Sequence, residues 1–174
     1  MKNKTFTFIT NDFCNFLYTD KTDERRFSTE EKIKEEILRI AEMCDSISFI
    51  SGMEAGVDLF AAEFVLSLKE NKNIYLECVF PYENAHEKLK EKDRDKFFYV
   101  AEHCDTETFI HKKRTFGCKR DRDIYMINKS DIIFVFWDKI SPYTGELLQL
   151  ALELNREIIY IDPALSKSVA RFAI

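Results

Sequence analysis

Three segments of this 174-residue chain carry residue types that bind or transform anions. The first is Ser51-Gly52-Met53-Glu54-Ala55-Gly56-Val57-Asp58. Two glycines four residues apart let backbone N–H groups and the start of a following helix face a phosphate, and Ser51 would add a hydroxyl. Glu54 and Asp58 put negative charge in the same place. A tight strand-to-helix turn that uses glycine only for its geometry, with an acidic first helical turn, accounts for the same residues. Glycine is scarce here, four in the whole chain, against a usual share of roughly 7%. Two in one turn is therefore a concentrated use, and Gly117 and Gly145 fall in the other two segments.

The second segment is the basic stretch 111–122. Lys112, Lys113, Arg114, Lys119, Arg120 and Arg122 oppose Asp121 and Asp123, six charges against two, a local +4 that leaves −9 for the rest of a chain totalling −5. A basic loop on an acidic protein attracts anions, and a solvated loop ahead of a helix reads the same way. Arg122 stands apart because helical spacing sets it one turn from Met126. The third segment is Ser141-Pro142-Tyr143-Thr144-Gly145-Glu146. A Thr-Gly pair at a helix start can hold a phosphate by hydroxyl and N–H, with Glu146 projecting toward a sugar. Thr144 as a helix N-cap with Glu146 as a dipole partner fits equally well. His86, His103 and His111 are dispersed without metal-ligand spacing, and no Walker loop, nucleophile elbow or H-E-x-x-H occurs. Neither a metal nor a cofactor is expected.

These segments need a scaffold, and the apolar pattern supplies one. Thr5–Thr10 alternates as a first strand, and residues 11–27 show no period and read as a loop. Ser28 with Glu31 fits a capping box for a helix through Cys44. Ile47–Ile50 is a short buried strand that runs into the 51–56 turn, and a helix apolar around much of its girth follows from Val57. Ile74–Phe80 is a third strand, stopped by Pro81. Asn84–His103 is a two-part helical region, Glu107–Ile110 a weak strand, and Lys119–Lys129 a short helix. Ile132–Trp137 is apolar at every position, as a strand covered on both faces should be. Gly145–Asn155 is a helix, Ile158–Ile161 the last strand, and the tail to Ile174 takes no assigned form. Strand–helix alternation with short connections means a parallel sheet. The expected architecture is one doubly wound, Rossmann-like α/β domain over 1–174, core about 5–162, with about six mostly parallel strands and helices on both faces. Ligands bind such sheets at the carboxyl ends of the strands, which selects the loops from Asn11, 51–56, 111–122 and 138–146.

Composition narrows the function classes. Apolar residues at 45% and charged residues at 33% exclude a disordered chain. The net −5 argues against a general nucleic-acid or membrane-surface binder. Five cysteines without a C-x-x-C pair signal neither a zinc site nor a redox dithiol. The longest apolar run is far short of a membrane span, and Asn11 and Asp12 break any signal-peptide core. A reduced, cytoplasmic protein is the expectation.

Three segments in order resemble a known family. Phe49–Glu63 (FISGMEAGVDLFAAE) resembles the "SGxxxGVDxxAAE" motif of the YpsA-like family, Val79-Phe80-Pro81 its "PF/IP" strand ending, and Arg122–Asp131 (RDIYMINKSD) its "RNxxMVDxSD" segment. The likeness spans about residues 5–162. That family belongs to the SLOG superfamily, with the DNA-processing protein DprA and the "lonely guy" phosphoribohydrolases. The resemblance implies a bound nucleotide or nucleotide derivative, with ligand contacts at Thr10, Asn11, Ser51, Gly52, Met53, Gly56, Asp58, Arg122, Thr144 and Gly145. It also implies that Arg122 and Glu146 would be the catalytic pair if the protein cleaved base from ribose 5′-phosphate. The family's "TGHR" reads Thr10-Asn11-Asp12-Phe13 here, and its "GGT" reads Pro142-Tyr143-Thr144. Three functions follow: a nucleotide-ligand sensor, an N-glycosidase, or a protein-interaction domain with a decayed pocket. The expected partner is a small nucleotide-like ligand, with no nucleic acid, no membrane and a homodimer as the default assembly.

Overall fold

Strand Ile132–Phe136 is buried at all five positions, and its neighbours on both sides explain why. In the computed structural model, which describes residues 3–10, 24–137, 139–161 and 169–172, it is an inner strand of a seven-stranded sheet. In chain order the elements are β1 (Asn3–Ile9), α1 (Glu24–Met43), β2 (Ser46–Ser51), α2 (Val57–Leu68), β3 (Ile74–Tyr82), a 3₁₀ turn (Ala85–Lys88), α3 (Glu91–His103), β4 (Thr106–His111), α4 (Cys118–Lys129), β5 (Ile132–Phe136), α5 (Pro142–Glu153), β6 (Glu157–Ile161) and β7 (Val169–Phe172). The strand order is β4-β3-β2-β1-β5-β6-β7. The first six strands are parallel, so the expected Rossmann-like α/β architecture holds. The tail without an assigned form adds an antiparallel seventh strand on β6. Among the described residues no helix is long and apolar enough to cross a membrane.

Each face of the sheet has its own core. On one, α1, α2 and α3 cover Phe6, Phe8, Phe49, Leu76, Phe80 and Phe134. On the other, α4 and α5 cover Ile9, Ile133, Val135 and Ile158, with Met126 on Ile50 and Val79. Strand alternation sorts the side chains: Phe6 and Phe8 face the first layer, while Thr7 turns to the second and donates its hydroxyl to the Ile50 carbonyl at 2.7 Å. Four rings from three strands interlock. Phe6 stacks on Phe49 at 4.9 Å, Phe8 stacks on Phe134 at 4.7 Å, and Phe6–Phe134 and Phe8–Phe49 meet edge-on at 5.6 Å. Such pairs add about 0.5–1.5 kcal/mol each beyond burial. Glu77 on β3 is buried, yet Thr108, Tyr125 and Lys129 all donate to it. Burial would raise its pKa, and these hydrogen bonds hold it below the ordinary value instead.

Several expected boundaries move, four of them for a clear reason. The first helix begins at Glu24, so Ser28 lies inside it rather than at its N-cap; Arg26, in the stretch that reads as loop, pairs with Glu30 one turn on at 2.8 Å. Strand β3 passes through Pro81 to Tyr82, because β2 pairs with β3 only as far as Cys78, and a missing N–H costs nothing where no ladder bond is due. Helix α4 starts at Cys118, with Gly117 in a left-handed conformation ahead of it. Helix α5 starts at Pro142 rather than Gly145, since Ser141, not Thr144, is its N-cap.

Removing one ring tests the interlocked core. Phe134→Ala is expected to cost about 3–5 kcal/mol, read as the urea unfolding midpoint, with an unchanged far-ultraviolet spectrum for the fraction that folds.

Candidate ligand-binding site

The 52–56 turn is shaped by what lies above it. Gly56 precedes α2 at φ 102, ψ −123, a conformation essentially restricted to glycine. Met53 is left-handed at φ 57, and its N–H donates to the Ser51 hydroxyl at 3.2 Å. Gly52 is small for a different reason: a Cβ there would sit 2.8 Å from a carboxylate oxygen of Asp58 and 3.2 Å from the Arg122 guanidinium carbon. The space over the turn is already taken by the protein's own side chains.

Arg122 is the centre of that group. It is 3% exposed. Its Nη1 donates to the Gly52 carbonyl at 2.9 Å and to Glu54 at 3.1 Å. Its Nε and Nη2 both donate to one oxygen of Asp123, at 2.9 and 2.6 Å. Tyr143 of α5 donates to the second oxygen of Asp123 at 2.6 Å. Lys119 reaches the same Glu54 oxygen at 3.0 Å. Burial alone would lower the Arg122 pKa, but Asp123, Glu54 and Asp58 together raise it. Burial would raise Glu54, and the Arg122 and Lys119 charges hold it below its ordinary value. Burial and the Asp123 carboxylate push the Tyr143 hydroxyl up. Asp58 is the exception. Among the described residues its Oδ2 accepts only a long 3.4 Å bond from the Glu54 N–H and its Oδ1 has no partner, and burial pushes it up to about 7 despite Arg122.

Beside this group lies a cleft of about 320 Å³, at the carboxyl ends of β2 and β3. Gly52, Met53, Glu54 and Ala55 form one wall; Phe80, Pro81, Tyr82, Ala85, Lys88, Leu89 and Phe97 form the other; Cys118, Lys119 and Arg122 close it from α4. Phe80 and Phe97 meet at 5.4 Å beneath it. An apolar floor with a few convergent charged groups is the usual form of a small-molecule site, and this volume is at the small end of roughly 300–1,000 Å³.

The site residues expected from sequence divide accordingly. Gly52, Met53 and Arg122 line the cleft. Ser51 and Asp58 are buried behind it. Gly56 shapes the turn. Thr10 follows the end of β1, and Asn11 lies outside the described residues. Thr144 is fully buried and bonds to the Ser141 hydroxyl at 3.2 Å. Gly145 packs under Trp137, whose ring a Cβ would meet at 3.3 Å. Glu146 is outside the cleft, 62% exposed and 3.8 Å from Arg120, so it shares no described contact with Arg122. Arg122, while lining the cleft, is buried against the Asp123 and Glu54 carboxylates. The segment after the third strand is what sequence reasoning missed: with Tyr82, Lys88 and Leu89, the residues from Phe80 to Phe97 make up half of the cleft lining. The signal was the Val79-Phe80-Pro81 segment, which points a strand end at this edge.

An open parallel sheet with a cleft at its carboxyl edge defines a Rossmann-like α/β protein. The family model described as the YspA SLOG family (YpsA) matches residues 14–155, and the chain belongs to that family. It is similar to the UPF0398 protein BH1768 of Halalkalibacterium halodurans, 30% identical over 112 residues. That match covers 63% of this chain and 59% of the relative, so it spans about three fifths of that protein's length.

Two variants test the buried group. Arg122→Ala leaves three carboxylates without their shared cation and is expected to cost about 3–5 kcal/mol in urea unfolding. The pH dependence tests Asp58. Folded, it keeps its proton to about pH 7; unfolded, it loses it near 3.8. The folded chain therefore binds the extra proton between those values, and this residue's contribution to stability falls as pH rises through that window. Asp58→Asn removes the loss. The variant is expected to match the parent at pH 4 and to exceed it by about 1–3 kcal/mol at pH 8, measured by paired urea titrations at the two pH values.

Proposed function

We propose that the protein binds a nucleotide or nucleotide derivative in the cleft between the 52–55 turn and the 80–89 segment, as a sensor or regulatory module. The observation that carries this reading is the pairing, in one cavity, of an apolar floor with a cationic rim: Phe80, Phe97 and Tyr82 with Lys88, next to Lys119 on its Glu54 partner. A planar base gains by burial against aromatic and aliphatic carbon. An anionic group gains from lysines at the rim, where the water-facing side keeps their desolvation cost small. Arg122 serves this site by position. It ties α4 to the 52–56 turn and so fixes the width of the cleft. Membership of a SLOG family supports the same class of ligand.

The test begins with the purified chain, denatured and searched by mass spectrometry for a released nucleotide. Thermal unfolding is then followed with a panel of nucleoside 5′-phosphates. At a concentration of about 100 times the dissociation constant a ligand adds about 2.7 kcal/mol, so a rise of several degrees in Tm is expected with at least one nucleotide. Tyr82→Ala is expected to weaken that nucleotide about tenfold or more, and Glu146→Gln to leave it unchanged. No released nucleotide and no shift with any member of the panel would end the reading.

A further inference from the structure

A second basin opens next to the cleft. It has a volume of about 570 Å³ and is lined by Tyr82, Asn84, Glu87, Lys88, Lys112, Lys113 and Arg114. Four cations face one carboxylate, on a chain whose total charge is −5. Several lysines elsewhere have acidic partners: Lys69 on Asp105, Lys96 on Glu63 and Lys129 on Glu77, at 2.6, 2.6 and 3.0 Å. Lys112, Lys113 and Arg114 are exposed and form no ion pair or hydrogen bond among the described residues. Unpaired like charges at one concavity repel one another, and that cost is offset when a polyanion enters.

The basin and the cleft adjoin, with Tyr82 and Lys88 lining both. Inside the cleft the most cationic point is already occupied, because the Glu54 carboxylate sits between Arg122 and Lys119 at 3.1 and 3.0 Å. A phosphate placed there would meet that carboxylate in a half-buried setting, where like-charge repulsion is only weakly screened. The free positive potential lies outward, past Lys88, in the basin.

We infer that the basin holds the distal phosphates of a nucleotide whose base and sugar fill the cleft, so that the ligand class is a nucleoside di- or triphosphate, or a pyrophosphate-linked derivative, rather than a monophosphate. This rests on the nucleotide reading of the cleft. Lys88 is the shared residue, and Lys112, Lys113 and Arg114 set the preference for chain length.

Calorimetric titration of the full chain tests it, with the mono- and triphosphates of adenosine, guanosine, cytidine and uridine, and with inorganic tripolyphosphate alone. The best triphosphate is expected to bind about tenfold or more tightly than its monophosphate, and that ratio is expected to shrink as salt rises. In Lys112→Ala/Lys113→Ala the ratio is expected to fall to about one while the monophosphate is unchanged. Lys34→Ala/Lys72→Ala, which removes the same charge away from this edge, is expected to keep it. Equal affinity for mono- and triphosphate in the parent overturns the inference, as does an equal loss of both in the basin variant or an equal effect of the control pair. Tripolyphosphate bound through Lys112 and Lys113 while no nucleotide binds keeps the basin as a polyanion site and removes the nucleotide reading of the cleft. Phe116, fully exposed beside Arg114, is what a single strand would stack on. A short oligonucleotide that binds more tightly than every triphosphate through the same lysines overturns the inference in favour of nucleic acid.

Discussion

The buried guanidinium of Arg122 is the constraint on which the ligand edge depends. A fixed cation without access to water must have its N–H groups met by acceptors, or it is not tolerated. Here the acceptors come from separate parts of the chain: the Gly52 carbonyl and Glu54 from the turn after β2, and Asp123 from α4 itself. Tyr143 extends the group to α5 through Asp123, and Lys119 extends it back to the surface through Glu54. Desolvation offsets much of the attraction in such a group, so its main effect is on position. It locks α4 against the strand-two turn, and so fixes one wall of the cleft against the helix that closes it.

This arrangement changes what the small residues of the turn are for. A glycine-rich passage from strand to helix is the shape of a phosphate loop, yet the volume over Gly52 belongs to Asp58 and Arg122. Glycine is required there by the protein's own side chains. Gly145 has the same explanation, its place being set by the Trp137 ring rather than by an open anion site. Gly52 and Gly145 sit where neighbouring side chains leave no room for a Cβ, whereas Gly56 and Gly117 hold positive φ, and the open space lies one strand further along, under the segment that follows β3.

How much of this was legible in the residues varies by element. Strands with unbroken apolar runs were plain, because a strand covered on both faces must be apolar at every position, as Ile132–Phe136 is. The amphipathic body of α1 was plain too, but not its start. The Ser28-Thr29-Glu30-Glu31 run carries the local pattern of a cap, while a helix already begun upstream, with an Arg26–Glu30 pair, overrides it. Pro81 read as a stop because proline lacks a donor; it is tolerated because β2 has already ended its pairing beside it. The choice of Ser141 over Thr144 as cap of α5 depends on which hydroxyl faces the first turn, and that is a matter of chain direction after β5.

The sequence by itself determined the alternation of strands and helices, hence the parallel sheet, its two cores and the edge at which a ligand would sit, since these follow from periodicities local to each segment. It also placed the right residue types at that edge. Only the tertiary structure decided their pairing. Whether Arg122 meets a ligand or Asp123, and whether Glu54 repels a phosphate or replaces one, depends on distances between residues some 70 positions apart in the chain. Coulombic attraction and burial act through space, and the same six basic residues divide into a buried anchor, a rim, an exposed basin and, in Arg120, a neighbour of Glu146 only once the helices have docked.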